Sequence, residues 1–312
     1  MAPTVATRPA TEPQARRRPR SGAQSRRNAR TGLLLAAPAL LFVVVFALYP
    51  LGFGAYISLT NWPLVGAYHF IGFSNYTALI HNSVFVESII FTLKYTAIVT
   101  VPIFVVGYGL AVFVRGSRPA STTFRTLIFL PYIVGLVTES YMAVVELQPT
   151  SGSANWLLSK VGLASSSTAW LVHTGLALTA VSILVIWFYA GFAMMMLLAG
   201  MQSIPTELYE AAKVDGAGWW TTEWRITLPN LRRWIALSLI ISVVGSLLAF
   251  NQFFIMTDGG PGTSTVTVVM SIYDTAFAQM DVGLASAMSV VLVIVVGLVS
   301  FLQFRFLRED GV

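Results

Sequence analysis

Six long apolar runs divide this chain of 312 residues. Each is long enough to supply the ~20 residues that an α-helix needs to cross the hydrocarbon core of a bilayer. Hydrophobic residues make up 56% of the chain and charged residues 10%, whereas soluble domains average about 45–50% and 25%. We therefore predict an all-α membrane protein with six transmembrane helices. The runs lie at about 32–59, 88–114, 124–146, 174–199, 232–256 and 283–304.

Lysine and arginine are concentrated on one side of the predicted helices. The first 30 residues hold eight of the 19, and nine more lie in loops and helix ends on the same side. Only Lys94 and Lys160 fall on the other side. Because positively charged loops are retained in the cytoplasm, we expect both termini and the loop 200–231 to be cytoplasmic.

The chain is expected to form one membrane domain between two tails. Residues 1–30 are rich in Arg, Pro and Ala and cannot form a core, so we predict a disordered tail. Because this tail abuts a hydrophobic helix, a role in topology is favoured over nucleic-acid binding. The first apolar run is too long for the core of a cleaved signal peptide. Residues 31–308 are predicted to form the six-helix domain and residues 309–312 a short C-terminal tail.

Several chemistries are excluded by residue type and spacing. The chain has no cysteine, which excludes thiol catalysis, disulfides and thiolate metal sites. Its three histidines have no metal-ligand spacing, and there is no Gly-rich nucleotide-binding loop. No paired carboxylates, His cluster or Ser–His set lies at a spacing that would suit a membrane-embedded enzyme. We therefore expect a non-catalytic chain that binds no metal and no cofactor.

The longest charged interruption of the apolar part runs from residue 210 to residue 229. It contains Glu-Ala-Ala at 210–212, Gly216, and Ile-Thr-Leu-Pro at 226–229. The pattern predicts two short helices, the first ending near Gly216 in a turn that tolerates left-handed backbone. A partner protein would bind such a surface; the alternative is a solvated helical hairpin without a partner.

This segment resembles the cytoplasmic coupling loop of ABC importer permeases, the loop that docks on an ATP-hydrolysing subunit. A second stretch begins at Asn251, passes through Thr-Asp-Gly-Gly-Pro at 257–261 and ends in the small residues at 283–287. It is similar to the outer turn and last helix of the carbohydrate-specific, MalF-like branch of that family. The resemblance covers roughly residues 33–308 and implies the MetI-like permease fold.

The resemblance implies a function and a set of partners. The chain would be the permease subunit of an importer for a sugar or sugar-like solute in the bacterial inner (cytoplasmic) membrane. Its partners would be a second homologous permease, two copies of an ATPase that binds ATP and Mg, and an extracytoplasmic solute-binding protein. The alternative is a secondary transporter or channel for a small polar solute, which would have more intramembrane charge or an inverted repeat.

The resemblance also assigns candidate site residues. The ATPase-docking set implied by the motif is Glu210, Ala211, Ala212 and Gly216, with the two alanines letting the helix seat deeply. Ile226, Leu228 and Pro229 complete the motif. Two residues that the motif does not fix join the coupling set, Asp215 for its charge beside the turn and Trp219 for apolar contact. Gly259, Gly260 and Pro261 are expected to form a sharp turn at the outer face, because proline stiffens such a turn.

The path of the solute is less well defined by the sequence. Glu139 lies 14 residues after Arg125, which is ~21 Å in a straight helix, and an isolated carboxylate at that depth faces a cavity or a partner. Pro131 is expected to kink this third helix. Each candidate side chain for the path could instead satisfy a neighbouring helix. The candidates are Glu139, Trp187, Tyr189, Asn251 and Gln252.

Overall fold

The computed structural model describes residues 22–63, 65–116, 119–163, 165 and 167–308. The chain divides into two compact units, residues 1–53 and 54–312. The predicted tail at 309–312 lies outside the described residues. The first helix begins at Gly22. Residues 22–30, which were predicted to belong to a disordered tail, are therefore part of this first helix.

The first unit contains the beginning of a long apolar helix. Helix α1 (Gly22–Val43) continues through a π-helical turn, Val44–Leu48, into α2 (Tyr49–Ile57). The described part of this helix, Thr31–Ile57, is 27 residues long and strongly apolar. Its length and composition suit a transmembrane helix, as the sequence predicts.

The second unit contains the remaining helices. Outside them, its described residues form two isolated antiparallel bridges, between Thr60 and Phe70 and between Pro63 and Asp281. Two further π-helical turns lie at Glu223–Thr227 and Asp274–Ala278. The helices are α3 (Ser74–His81), α4 (Ser83–Val114), α5 (Pro119–Val134), α6 (Leu136–Glu146), α7 (Ser153–Lys160), α8 (Thr174–Gln202), α9 (Thr206–Val214), α10 (Trp219–Thr222), α11 (Leu228–Asn230), α12 (Arg232–Leu247), α13 (Asn251–Met256), α14 (Val268–Tyr273) and α15 (Val282–Arg308).

Four of the predicted spans are continuous helices and two are bent pairs. The continuous helices are Thr31–Ile57, Ser83–Val114, Thr174–Gln202 and Val282–Arg305. The bent pairs are Ala120–Val134 with Leu136–Glu146, at 93°, and Trp219–Asn230 with Arg232–Leu247, at 70°. Counting each bent pair as one span gives six spans, as many as the sequence predicts, but only the second helix of the second pair lies within the predicted run 232–256.

The third predicted span is not one straight helix. It breaks at Gly135, whose φ of 95° and ψ of 139° belong to a region that side-chain-bearing residues rarely adopt. Pro131 lies one turn before the break and accepts a hydrogen bond from the Gly135 amide at 3.3 Å. The ~21 Å separation of Glu139 from Arg125, which assumed a straight helix, is therefore wrong.

The fifth predicted run, 232–256, is also two helices rather than one. Helix α12 ends at Leu247, and α13 begins at Asn251. The Ala249 carbonyl accepts a hydrogen bond at 2.7 Å from the buried Thr267 hydroxyl, which in turn accepts from the Met270 amide at the start of α14. The Thr267 hydroxyl thus satisfies a carbonyl at the break and an amide in the first turn of α14, neither of which has a helical partner.

Helices α4 and α8 form the centre of the second unit. Gly107 of α4 lies so close to α8 that a Cβ there would be 2.7 Å from the Cβ of Ala193, so the two backbones pack in close contact as small residues allow in membrane helices. The buried ring of Tyr95 packs edge-on against Phe253 of α13, with centroids 4.8 Å apart. This core supports a loop at one end of α4 and α8 and a groove beside α8.

Candidate functional site: a loop anchored to helix α4 and a groove beside helix α8

The segment 210–229 folds as two helical arms around a sharp turn. Helix α9 ends in a complete Schellman motif, in which the Ala217 amide donates to the Ala212 carbonyl at 2.9 Å and the Gly216 amide donates to the Lys213 carbonyl at 3.2 Å. Gly216 has a φ of 73°, which favours glycine. The two short helices and the left-handed turn predicted from the sequence are present.

The solvent-exposed surface of this loop carries aromatic and charged side chains. Trp219, Trp220 and Trp224 are 53%, 68% and 66% exposed, and Val214 is 88% exposed. The first two indole rings pack edge to face at 4.5 Å. Exposed apolar side chains gathered in this way are typical of protein-binding surfaces. We call these four residues the loop patch.

The predicted docking residues are divided between the two sides of the loop. Those on the surface are Glu210, Ala211, Asp215, Gly216, Trp219 and Pro229. Ala212 is buried against the chain itself at 7% exposure, so it supports the helix rather than forming part of the surface. Ile226 and Leu228 are half-buried, and Ile226 packs against the cluster that joins α4, α8 and Leu231.

A buried carboxylate joins the second arm of the loop to helix α4. Glu223 has a side chain that is 3% exposed and pairs with the Arg115 guanidinium at 3.1 Å. Its other oxygen accepts a hydrogen bond from the Tyr108 hydroxyl at 2.6 Å. Both carboxylate oxygens therefore have partners on or immediately after α4, which offsets the cost of burying the charge.

The first arm of the loop joins the same cluster through Tyr209. The Arg115 guanidinium lies over the Tyr209 ring, 4.8 Å from its centroid, a cation–π contact. The Tyr209 hydroxyl lies 3.3 Å from the hydroxyl oxygen of the fully buried Thr227. We call Tyr108, Arg115, Tyr209, Glu223 and Thr227 the anchor cluster. It links both arms of the loop to the end of α4.

The anchor cluster was not predicted from the sequence. In the sequence, Arg115 is one of the charges that set the topology, and Glu223 is one charge of the loop. The two residues are 108 positions apart, and no local pattern relates them. The one available signal is the isolated acidic residue at 223 within a stretch of apolar and small residues.

The outer turn is a compact structure closed by threonine hydroxyls. Gly259 has a φ of 77°, and the peptide bond between Gly260 and Pro261 is cis. The buried Thr265 donates from its hydroxyl to the Gly260 carbonyl at 2.8 Å. The pKa of Asp274, which lies beyond the turn, is raised above its ordinary value. Burial is the main cause, and the nearby Asp258 carboxylate adds to it. The predicted sharp turn at 259–261 is present.

A groove of about 320 Å³ lies where α5, α6 and α8 meet. The bend at Gly135 turns α6 away from the direction of α5 and places Glu139 in its first turn. Glu139 lines the groove together with Glu146, Trp187 and apolar side chains of α5 and α8. Pockets of this size hold small organic ligands.

Glu139 has the least satisfied carboxylate in this groove. The residue is 3% exposed, and its Oε2 atom has no hydrogen-bond partner among the described residues. Glu146, by contrast, accepts a hydrogen bond from the Ser153 hydroxyl and one from the Ala154 amide at 3.3 Å, at the start of α7. A buried acceptor without a partner is costly, which is typical of a position that a ligand or another chain completes.

The other predicted path residues do not line this groove. The Tyr189 hydroxyl packs 2.8 Å from where a Cβ of Gly245 in α12 would stand. Gln252 is buried and donates to the Tyr95 hydroxyl at 3.3 Å. Asn251 is exposed at the start of α13. The structure thus brings Glu139 and Trp187 together in the groove, whereas the other three candidates lie outside its lining.

Comparison with known proteins establishes the family. The chain belongs to the inner membrane components of binding-protein-dependent transport systems, whose family model matches residues 71–309. It is therefore a permease component embedded in the membrane, as the resemblance of its loop and outer turn predicted. This membership replaces the alternative of a secondary transporter or channel.

Individual relatives support the same assignment, and one solved structure shares the fold. The diacetylchitobiose uptake system permease protein NgcF of Streptomyces coelicolor is 32% identical over 290 residues, which cover 89% of this chain and 82% of that protein. The sn-glycerol-3-phosphate transport system permease protein UgpA of Escherichia coli O157:H7 is 30% identical over 281 residues, covering 88% and 93%. A bacterial ABC transporter involved in the import of the acidic polysaccharide alginate matches in fold with a TM-score of 0.81 and 24% identity, covering 93% of this chain and 100% of the matched chain.

Proposed function

We propose that this permease imports a sugar or sugar-like solute and that the loop 210–229 couples it to ATP hydrolysis. The observation that carries the coupling role is the anchor cluster, which fixes an exposed patch to the end of a transmembrane helix through an ion pair whose carboxylate is buried. Burying that carboxylate is costly, and holding the loop in one geometry against a partner is the benefit that we assign to it.

In this proposal, partner proteins supply the rest of the pathway, the delivery of the solute and the hydrolysis of ATP. A second homologous permease completes the transmembrane pathway, and an extracytoplasmic solute-binding protein delivers the solute. Two copies of an ATPase subunit bind ATP and Mg, and this chain catalyses no reaction. The loop, both termini and the tails at 1–30 and 309–312 lie in the cytoplasm, where the positive charges favour them.

The coupling step follows from the geometry of the loop. Glu210, Asp215 and the loop patch contact the ATPase, and closure of the two ATPase copies displaces the loop. Because the Glu223–Arg115 pair and the Tyr209 ring tie both arms to α4, a displacement of the loop moves the end of α4. Packed helices change between a few discrete arrangements, so this movement biases the permease between inward-open and outward-open states.

The solute class is supported by the relatives and by the groove. The relatives named above transport diacetylchitobiose and sn-glycerol-3-phosphate by their names, and a further one, 32% identical, belongs to a multiple sugar-binding transport system in Streptococcus mutans. Hydroxyl-rich solutes suit a site that pairs a carboxylate with an aromatic ring. Glu139 and Trp187 form such a pair of residue types in one groove.

Affinity purification of the chain from its own host in mild detergent tests the proposal. We expect recovery of an ATPase, a second six-helix permease and a solute-binding protein. The ligand of that binding protein would name the solute. Recovery of the folded chain without any ATPase would contradict the proposal.

A further inference from the structure

The titratable side chains that line the groove beside α8 are acidic. Two of its lining residues are carboxylates, Glu139 and Glu146, and among the described residues that line it none is Lys, Arg or His. Glu146 is held by the start of α7, whereas the Oε2 atom of Glu139 is buried without a hydrogen-bond partner. The unsatisfied acceptor of the groove is therefore a single carboxylate at its buried end.

The remaining lining is apolar and partly open. Trp187 is 55% exposed, and Met142 is 58% exposed. An indole ring offers a flat apolar face, and a carboxylate offers up to four acceptor positions. Together they match the two faces of a saccharide, namely ring carbons on one side and hydroxyl groups on the other.

Resting on the proposed import function, we propose that Glu139 accepts hydrogen bonds from the solute in this groove and thereby selects uncharged or cationic saccharides over anionic ones. An anionic solute would bring a second negative charge against a buried carboxylate in a region of low dielectric constant, where like charges repel strongly. An uncharged or cationic saccharide instead supplies the donors that the Glu139 Oε2 atom lacks. In its solute selectivity, this chain would then differ from relatives whose names specify an anionic solute, such as sn-glycerol-3-phosphate.

The test uses the complete importer, purified with its partners and reconstituted in liposomes. Uptake driven by ATP is measured for matched sets of disaccharides of one size and linkage, each set containing a neutral, a uronic-acid and an amino-sugar member. We expect the neutral or cationic member to be taken up at least about tenfold faster than the acid. Glu139→Gln should narrow that ratio, and Glu87→Gln, which changes an exposed carboxylate of α4 outside the groove, should leave it unchanged.

A second measurement reads the charge of the groove without any transport. Because the chain contains no cysteine, Met142→Cys places one thiol in the groove, and the labelling of this chain is followed by its mass. A cationic methanethiosulfonate reagent should react roughly tenfold faster than an anionic one at low ionic strength, after correction for their reactivity with a free thiol. Adding Glu139→Gln to the same variant should remove most of this difference.

The outcomes distinguish this proposal from the import function on which it rests. Preferred uptake of the acidic disaccharide, or an uptake ratio unaffected by Glu139→Gln, would overturn the selectivity while leaving the importer intact. Equal labelling by the two reagents would mean that another subunit neutralises Glu139, and it would also overturn the proposal. If no saccharide of any charge is taken up, the import function fails and the selectivity fails with it.

Discussion

At the scale of single residues, the anchor cluster makes a sharp prediction. Glu223→Gln removes the charge that pairs with Arg115 but keeps the shape of the side chain and an acceptor for the Tyr108 hydroxyl. Losing one partner of such a pair costs about 1–3 kcal/mol. We expect ATP-driven uptake to fall roughly tenfold, because fewer loops hold the competent conformation, while the amount of chain in the membrane is unchanged.

Glu207→Gln is the matched control for this variant. Glu207 is an exposed carboxylate of α9 in the same loop, and exposed charges contribute little to stability. Uptake by this variant should remain close to that of the unaltered chain. Normal uptake by Glu223→Gln, measured beside it in the same membranes, would show that the buried pair has no part in coupling.

The same residues show the limit of prediction from sequence. The polarity of Glu210 and Asp215 and the turn at Gly216 follow from local pattern, so their positions in the loop could be predicted. The burial of Ala212 and the pairing of Glu223 with Arg115 could not, because they depend on contacts between segments far apart in the chain. Likewise, Glu139 and Trp187 lie on different helices that meet only after α6 has turned at Gly135.

At the scale of elements, the turn between the two arms depends on one glycine. A side chain at Gly216 has open space around it but must adopt a φ of 73°, which costs roughly 1–2 kcal/mol for most residues and more for a β-branched one. We expect Gly216→Val to abolish uptake while the chain still inserts in the membrane. Uptake assays and immunoblots of the membrane fraction measure the two properties separately.

Gly218 provides the control for this element. It is also in open space, but its φ is −70°, a value that any residue can adopt. Gly218→Val should therefore transport nearly normally. Equal loss of uptake in both variants would point to the added bulk rather than to the turn.

The bend between α5 and α6 gives a second prediction at this scale. Gly135→Val places a β-branched residue at a φ of 95° and should lower the yield of folded chain, because the bend that positions α6 becomes strained. Gly109→Val, within α4 and in open space, should have a small effect on yield. Size-exclusion chromatography in detergent measures the folded fraction of each, and an unchanged profile for Gly135→Val would contradict the prediction.

The number of membrane spans was the part of the fold that could best be predicted from the sequence. The length of the apolar runs indicates the six spans, because lipid requires about 20 residues of helix. A kink at Pro131 was predicted, but the end of the helix at Gly135 was not. The break at 248–250 was not predicted either, because no glycine or proline lies there. What stabilises the second break is the Thr267 hydroxyl on the Ala249 carbonyl, a contact between segments that no single run reveals.

At the scale of the whole molecule, we propose that this chain is one subunit with two tasks. It transmits the movement of the ATPase to its helices, and it selects the solute. The side chains of the loop patch are exposed, and the Glu139 Oε2 atom in the groove has no hydrogen-bond partner among the described residues. Both features are expected for one part of a larger assembly. The anchor cluster lies at one end of α4, and the core shared by α4 and α8 connects that end to the helix that carries Trp187. In the function that we propose, coupling and transport therefore use the same pair of helices.

The central claim is that the loop contacts the ATPase, and a cross-linking experiment tests it directly. Ala211→Cys introduces a single thiol on the exposed side of α9, and a photoactivated maleimide attached there captures whatever lies beside it in the native membrane. Leu163→Cys, an exposed position in the loop 147–173, is the control. We predict a product containing an ATPase subunit from residue 211 and none from residue 163; an ATPase captured from residue 163, or none from residue 211, would contradict the account.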